Sequence, residues 1–353
     1  MILFAVLALL GLLLPASLAH PLPISVSNLN NSLVPRWYSV PSVTTGVGAW
    51  PVTNVDNVKG NTQPVRYCFA DPNSADLQYI LDGAWAKWST AAGQSALQFI
   101  LDPGCNGDET CLCSSLTQPS DALYVYDMSD DESFTHDAAT IGYEPQSNVA
   151  GRHTLRIAAW EDDDDDDVYA KQLSVAHELG HAFGLAHEFQ RPTRDSEVRF
   201  VCQNLDYYQF AINEVAEALA LQPAFPDLIP ECMIGDVAME PKDCVDNVVC
   251  KNLESATKFF EEAVEYIIGS DVDGFNSFEA SQSYDYESLM TYSSFGNAVK
   301  PTGKFPEDAV LVGTRDGREI QIEQGGDSEP EHAGPSAGDV DRIKMLYPKN
   351  IAT

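Results

Sequence analysis

The sequence predicts an α+β domain with one sheet, and three observations carry that expectation. Strand-like and helix-like stretches mix through the first half of the chain. The hydrophobic fraction of 44% supplies an ordinary packed core for the 353 residues. The second half adds two helical stretches separated by prolines and cysteines, which reads as a disulfide-stapled insertion rather than a second sheet domain.

The chain opens MILFAVLALLGLLLPASLAHPLP. Residues 2–14 are almost wholly apolar, but a bilayer of about 30 Å needs roughly 20 such residues. With small residues at Ser17 and Ala19, residues 1–19 read as a cleavable secretory signal. Residues 20–59, rich in Pro, Ser, Asn and Val, read as a pro-segment or N-terminal arm holding the sequon Asn30-Asn31-Ser32.

Ordered structure is expected from residue 60. QPVRYCFAD (63–71) reads as a strand, and LQYILDGAWAKWSTA (77–91) as a helix, with Leu77, Ile80, Leu81, Ala84 and Trp85 on one side. ALQFILD (96–102), ALYVYDM (122–128) and HTLRIAAW (153–160) read as strands. KQLSVAHELGHAFGLA (171–186) reads as a helix. Asp162–Asp167 before it read as a solvated loop, with a calcium site as the sharper alternative. DYYQFAINEVAEALAL (206–221) and ATKFFEEAVEYII (256–268) are the helices of an insertion over 205–269, and DVDRIKMLYP (339–348) is a closing helix. Residues 350–353 form a short tail.

The formal net charge of −33 repels nucleic acid and anionic lipid, so neither is expected as a partner, nor a membrane once the signal is removed. A monomer is expected. Eight cysteines behind a signal read as disulfides, with a four-cysteine zinc site as rival. Local pairing is expected within Cys105–Cys113 and within Cys202–Cys250.

HELGHAFGLAHEFQRP (177–192) holds three of the seven histidines. On a helix, positions four apart share a face, so His177 and His181 point the same way and can hold one Zn²⁺. Glu178 lies where its carboxylate can reach a water on that metal. Gly184 permits the chain to turn sharply and bring in His187. Three imidazoles leave the fourth tetrahedral position open, the mark of a catalytic site. The string H-E-x-x-H-x-x-G-x-x-H is that of the metzincin metallopeptidases, and YDYESLMTYSSF (284–295) fits their Met-turn, with Met290 as apolar floor beneath the histidines.

The sequence resembles one metzincin family, the astacins. Glu188, Arg191, Arg194 and Asp195 match the segment after the third histidine. Ser288, Leu289, Met290, Thr291 and Tyr292, after Tyr284-Asp285-Tyr286, match the Met-turn. VRYCFAD and GPSAGDVDRIKMLYP resemble the opening strand and closing helix. The resemblance implies a metzincin-type catalytic domain over 60–349, with a twisted mixed sheet, an active-site helix and one zinc ion. It implies that His177, His181 and His187 bind the metal, that Glu178 is the general base and Tyr292 a displaceable fifth ligand, and that Glu188 helps anchor a newly formed N-terminus. A secreted endopeptidase acting on protein or peptide substrates follows; the alternative is a secreted zinc-binding homologue without turnover.

Three departures stand beside the likeness. His187 and Met290 are separated by much more chain than is usual, no cysteine lies near Tyr347, and Asp56 is the nearest candidate for the family's aspartate switch. Lys300, Lys304, Arg315 and Arg318 follow the Met-turn; they read either as exposed basic residues or as pocket residues that favour an acidic side chain beyond the scissile bond.

Overall fold

The computed structural model describes residues 39–40, 47–51, 62–72, 75–105, 112–116, 119–145, 148–160, 165–221, 229–235, 237–270, 278–280 and 283–349. The signal, the sequon, Asp56 and the tail lie outside the described residues. Among those described, no helix is long and apolar enough to cross a membrane.

A five-stranded sheet, order β2-β1-β3-β5-β4, organises the first half. Its strands are β1 (Gln63–Phe69), β2 (Leu97–Leu101), β3 (Leu123–Met128), β4 (Ala138–Ala139) and β5 (His153–Ala158). The first four neighbours run parallel, while β4 pairs antiparallel with β5 at the edge. The sheet is therefore mixed. β1 is buried along almost its whole length, as a parallel strand covered on both faces must be.

The helix expected over 77–91 is α1 (Ala75–Lys87) followed by a separate α2 (Ser89–Gln94). Trp88, between them, is fully buried, and its indole donates to Ala176 O at 2.9 Å. That contact fastens α1 to α3 (Asp165–Ala182). α3 begins earlier than expected, within the aspartate run. Asp165, Asp166 and Asp167 form its first turn, where the helix dipole favours negative charge. Half of the expected loop is thus helix.

The second half holds a three-stranded antiparallel sheet of β6 (Val198–Phe200), β9 (Leu311–Arg315) and β10 (Arg318–Ile320), order β10-β9-β6. Between β6 and β9 lie α4 (Tyr208–Leu221), the hairpin β7–β8 (Met233–Ile234, Val237–Ala238), α5 (Pro241–Asn247), α6 (Leu253–Phe259) and α7 (Glu261–Val264). The single helix expected over 256–268 is broken at Phe260, whose extended backbone (φ −157°, ψ 76°) buries its ring and restarts the chain as α7. The chain closes with α8 (Ala337–Leu346), capped reciprocally by Ser336 and Asp339.

Cys202–Cys250 and Cys232–Cys244 staple this region, as expected locally. The other expectation fails for Cys113, which pairs with Cys68 of β1 rather than inside its own cluster. Cys105 is also disulfide-bonded. Buried apolar side chains form two main clusters, one around the five-stranded sheet and one joining the three-stranded sheet to the stapled helices. Val40, Val47 and Trp50 of the N-terminal arm belong to the first cluster. The Trp50 indole donates to Ala182 O at 2.7 Å, so this part of the arm is packed onto the end of α3.

Candidate active site

α3 ends in two bonds that a helix can make only if its next residue turns left-handed. Leu185 N donates to Gly180 O at 2.9 Å and Gly184 N to His181 O at 2.8 Å, with Gly184 at φ +101°. A side chain at 184 would also collide with Val40, since a Cβ there would lie 2.5 Å from Val40 Cγ2. The turn swings residues 185–187 back along the helix and brings His187 over His177 and His181.

The three imidazoles converge. His187 Nε2 lies 3.0 Å from His177 Nε2 and 3.2 Å from His181 Nε2, and all three rings are buried. Nitrogens held about 2.05 Å from a tetrahedral Zn²⁺ are about 3.3 Å apart, so the spacing matches a zinc site. The outer nitrogens support the same assignment. His177 Nδ1 faces Leu289 O at 2.8 Å and His181 Nδ1 faces Leu185 O at 2.9 Å. A carbonyl accepts only from a protonated nitrogen, which leaves each Nε2 lone pair directed at the common point. Among the described residues, these histidines are the one group of three or more candidate ligands close enough to share a metal ion. The calcium alternative gains no ligand cluster from the described aspartates.

Met290 lies directly under the helix. It is fully buried, and a Cβ on Gly180 would sit 2.4 Å from its sulfur, so only glycine allows this approach. The turn is pinned from three sides. Met290 O accepts from Glu188 N at 2.8 Å, while Leu289 N and Ser288 Oγ donate to Asp339 at 2.7 Å each. Asp339 thus serves α8 as capping partner and the Met-turn as anchor, and burial raises its carboxyl above the ordinary value despite the neighbouring Arg342.

Glu188 is buried between two guanidinium groups, with Arg191 at 2.6 Å and Arg342 at 2.8 Å, and it accepts from Asp285 N at 2.9 Å. Its charge is balanced inside the protein. Tyr292 packs beside the site, its ring 5.0 Å from that of His187 and 5.8 Å from that of His177.

His177, Glu178 and Tyr292 open onto a cleft of about 630 Å³. Further along α3 the same cleft is lined by Lys171, which pairs with Asp137 at 2.5 Å, and by Ser174, which donates to the same carboxylate. Lys300, Lys304, Arg315 and Arg318 do not line this cleft. Lys300 instead pairs with Asp308 at 2.5 Å, and the Arg315 guanidinium lies 4.9 Å from the Tyr286 ring centroid.

Sequence reasoning missed the residues that hold the histidines from behind. Gln324 Nε2 donates to Leu289 O at 3.3 Å, the carbonyl that His177 Nδ1 faces, and the Gln190 amide packs 3.4 Å from His187 Nδ1. A glutamine carries no spacing signature, so neither was visible. Asp137 and Lys171 were hidden likewise, because their pairing joins two separate elements.

Residues 169–221 match the family model Astacin, which describes a family of peptidases. Over that segment the chain is similar to the astacin peptidases. Among solved structures it is similar to high choriolytic enzyme 1 (HCE-1), a hatching enzyme zinc-protease from Oryzias latipes (medaka fish), at 16% identity and a TM-score of 0.44, over 86% of this chain and 95% of that one. It is also similar to myroilysin, at 15% identity and a TM-score of 0.39, over 87% of this chain and all of that one. No curated protein matches the sequence. The astacin-like reading rests on the matched segment and on the convergence of the imidazoles, not on these distant likenesses.

Proposed function

We propose that the chain is a secreted zinc endopeptidase whose ligands are His177, His181 and His187 and whose general base is Glu178. The single observation that supports this reading is the convergence of three Nε2 atoms at the mouth of a cleft that Glu178 also lines. Zn²⁺ held by these three imidazoles would supply an activated water, with its pKa lowered to about 7, and a polarised carbonyl. Glu178, on the same cleft, would take a proton from the attacking water and deliver it to the leaving amine nitrogen. The Tyr292 ring stands beside the imidazoles, and its hydroxyl would donate to the carbonyl oxygen as negative charge grows there.

Met290 and Gly184 act through shape, as floor and turn. Glu188 acts as the buried anion around which Arg191 and Arg342 are ordered. The disulfides and the apolar N-terminus support export, with residues 1–19 as the signal and residues 20–59 as a pro-segment or arm before a catalytic domain of 60–349, in which 205–269 is inserted.

The test is digestion of casein by the purified chain. Chelation should abolish it and zinc should restore it. Glu178→Gln should keep zinc while turnover falls by about 10²–10⁴-fold. Full turnover in that variant would sink the general-base role, and a wild-type chain that holds zinc without hydrolysing anything would make it a binding module.

A further inference from the structure

The stapled helical region between β6 and β9 ends in Glu265–Gly269, and this short segment reaches the site by three separate routes. The first is polar. Gln190 Nε2 donates to Glu265 O at 2.6 Å while lying 3.4 Å from His187 Nδ1, and Gln190 O accepts from Gly269 N at 3.0 Å. The second is aromatic. His187 stacks on Phe189 (4.8 Å, 19°), Phe189 stacks on Tyr266 (5.4 Å, 29°), and Tyr266 meets Tyr292 edge-on at 5.9 Å. The third reaches the cleft wall. The Tyr266 hydroxyl donates to Gly296 O at 2.8 Å, and Asn297 Nδ2 donates to the Glu265 carboxylate at 3.3 Å; Gly296 and Asn297 both line the cleft.

We propose that Gln190 and Tyr266 are positioning residues for the third histidine and Tyr292, so that the insertion is part of the catalytic apparatus. This rests on the zinc peptidase reading. The physical reason lies in how differently the ligands are held. His177 and His181 are fixed by one helix. His187 follows a turn, and its ring orientation depends on what packs behind it. The Gln190 amide, tied to Glu265 O, and the Phe189–Tyr266 stack pack behind that ring and hold its plane, and losing such support behind a ligand imidazole typically costs about 10–100-fold in metal affinity or activity.

The experiment compares Gln190→Ala, Tyr266→Leu and Tyr266→Phe in the full chain. It reads zinc affinity by chelator competition, the visible spectrum of the cobalt-substituted protein, kcat and KM separately, and the melting temperature. Gln190→Ala should lose about 10–100-fold in zinc affinity and alter the cobalt spectrum with little change in melting temperature. Tyr266→Phe keeps the ring stack and should keep zinc affinity while raising KM, because only the tie to Gly296 is cut. Ile234→Ser, on the exposed β7–β8 hairpin, should change none of these readouts. Wild-type zinc affinity and cobalt spectrum in folded Gln190→Ala would overturn the proposal, and that variant decides the matter should Tyr266→Leu not fold. Metal readouts stand apart from turnover: a chain that binds zinc but cleaves nothing refutes the peptidase reading and leaves this test intact.

Discussion

The two halves of the molecule grip the same metal site by different means. In the first half, α3 lies against a parallel sheet, so the positions of His177 and His181 follow from helical spacing and a carbonyl behind each ring. In the second half, His187 and Tyr292 depend on aromatic stacking and side-chain hydrogen bonds drawn from β6, the insertion and the Met-turn. The first grip is local and regular; the second is assembled from segments far apart in sequence. The contrast teaches that a motif can name all three imidazoles and still leave unread what holds the third.

The largest effect belongs to the first grip. His181→Ala removes one of the two proposed helix-borne ligands and should abolish zinc binding and turnover together, read by metal analysis and casein digestion. Should His181→Ala retain zinc while His187→Ala loses it, the comparison would be inverted.

Cutting the second grip should instead loosen the protein. Cys202–Cys250 closes 48 residues, and losing such a loop constraint destabilises by about 4 kcal/mol in the chain-entropy picture. Cys202→Ser with Cys250→Ser should therefore lower the melting temperature while the helix signal of the first half survives. Hydrogen exchange should rise in residues 202–270 before it rises in α3. Uniform loss of protection across both halves would show that they unfold as one unit.

The legibility of the fold divides along the same line. The strands β1, β2, β3 and β5 and the helices α1 and α3 were visible because their apolar spacing is regular. β4 is only Ala138–Ala139, too short for a pattern. β6, β9 and β10 are brief and sit among charged residues such as Arg199 and Glu319, so their sequence carries no clear strand signal. The motif disclosed three imidazoles, a carboxylate and a methionine because their spacing is set by one helix and one turn. It disclosed nothing of Gln190, Tyr266 or Gln324, whose role depends on packing between elements. Cys113 shows the same limit: its partner is adjacent across the fold, on β1, and not along the chain.

A smaller prediction concerns the first half and acid. His153 on β5 is fully buried, packed against Trp50 and Tyr143 at 4.9 and 5.0 Å, and neither ring nitrogen has a hydrogen-bond partner among the described residues. Burial first, and then Arg152, lowers its pKa to about 3. Above its ordinary value near 6.5 the ring is neutral in both folded and unfolded chains, and stability is unaffected. As pH falls below that value, the unfolded chain takes up a proton that the folded chain refuses. Stability is then lost at up to about 1.4 kcal/mol per unit until the folded ring itself titrates near 3. This amounts to about 2 kcal/mol by pH 5. His153→Phe should flatten that part of the melting-temperature profile. An unchanged slope would place the acid sensitivity elsewhere.

The smallest expected effect sharpens what the second half does for substrate. Arg315 ends β9 and is exposed, with its guanidinium over the Tyr286 ring rather than in the cleft. A guanidinium there is screened by water and too far from the cleft to select a residue beside the scissile bond. Arg315→Ala should leave cleavage preference unchanged against a peptide library, whereas Asn297→Ala, on the cleft wall itself, should shift it. A lost preference for acidic residues in Arg315→Ala would mean that substrate extends past the cleft onto β9, and would make the three-stranded sheet a binding surface as well as a support.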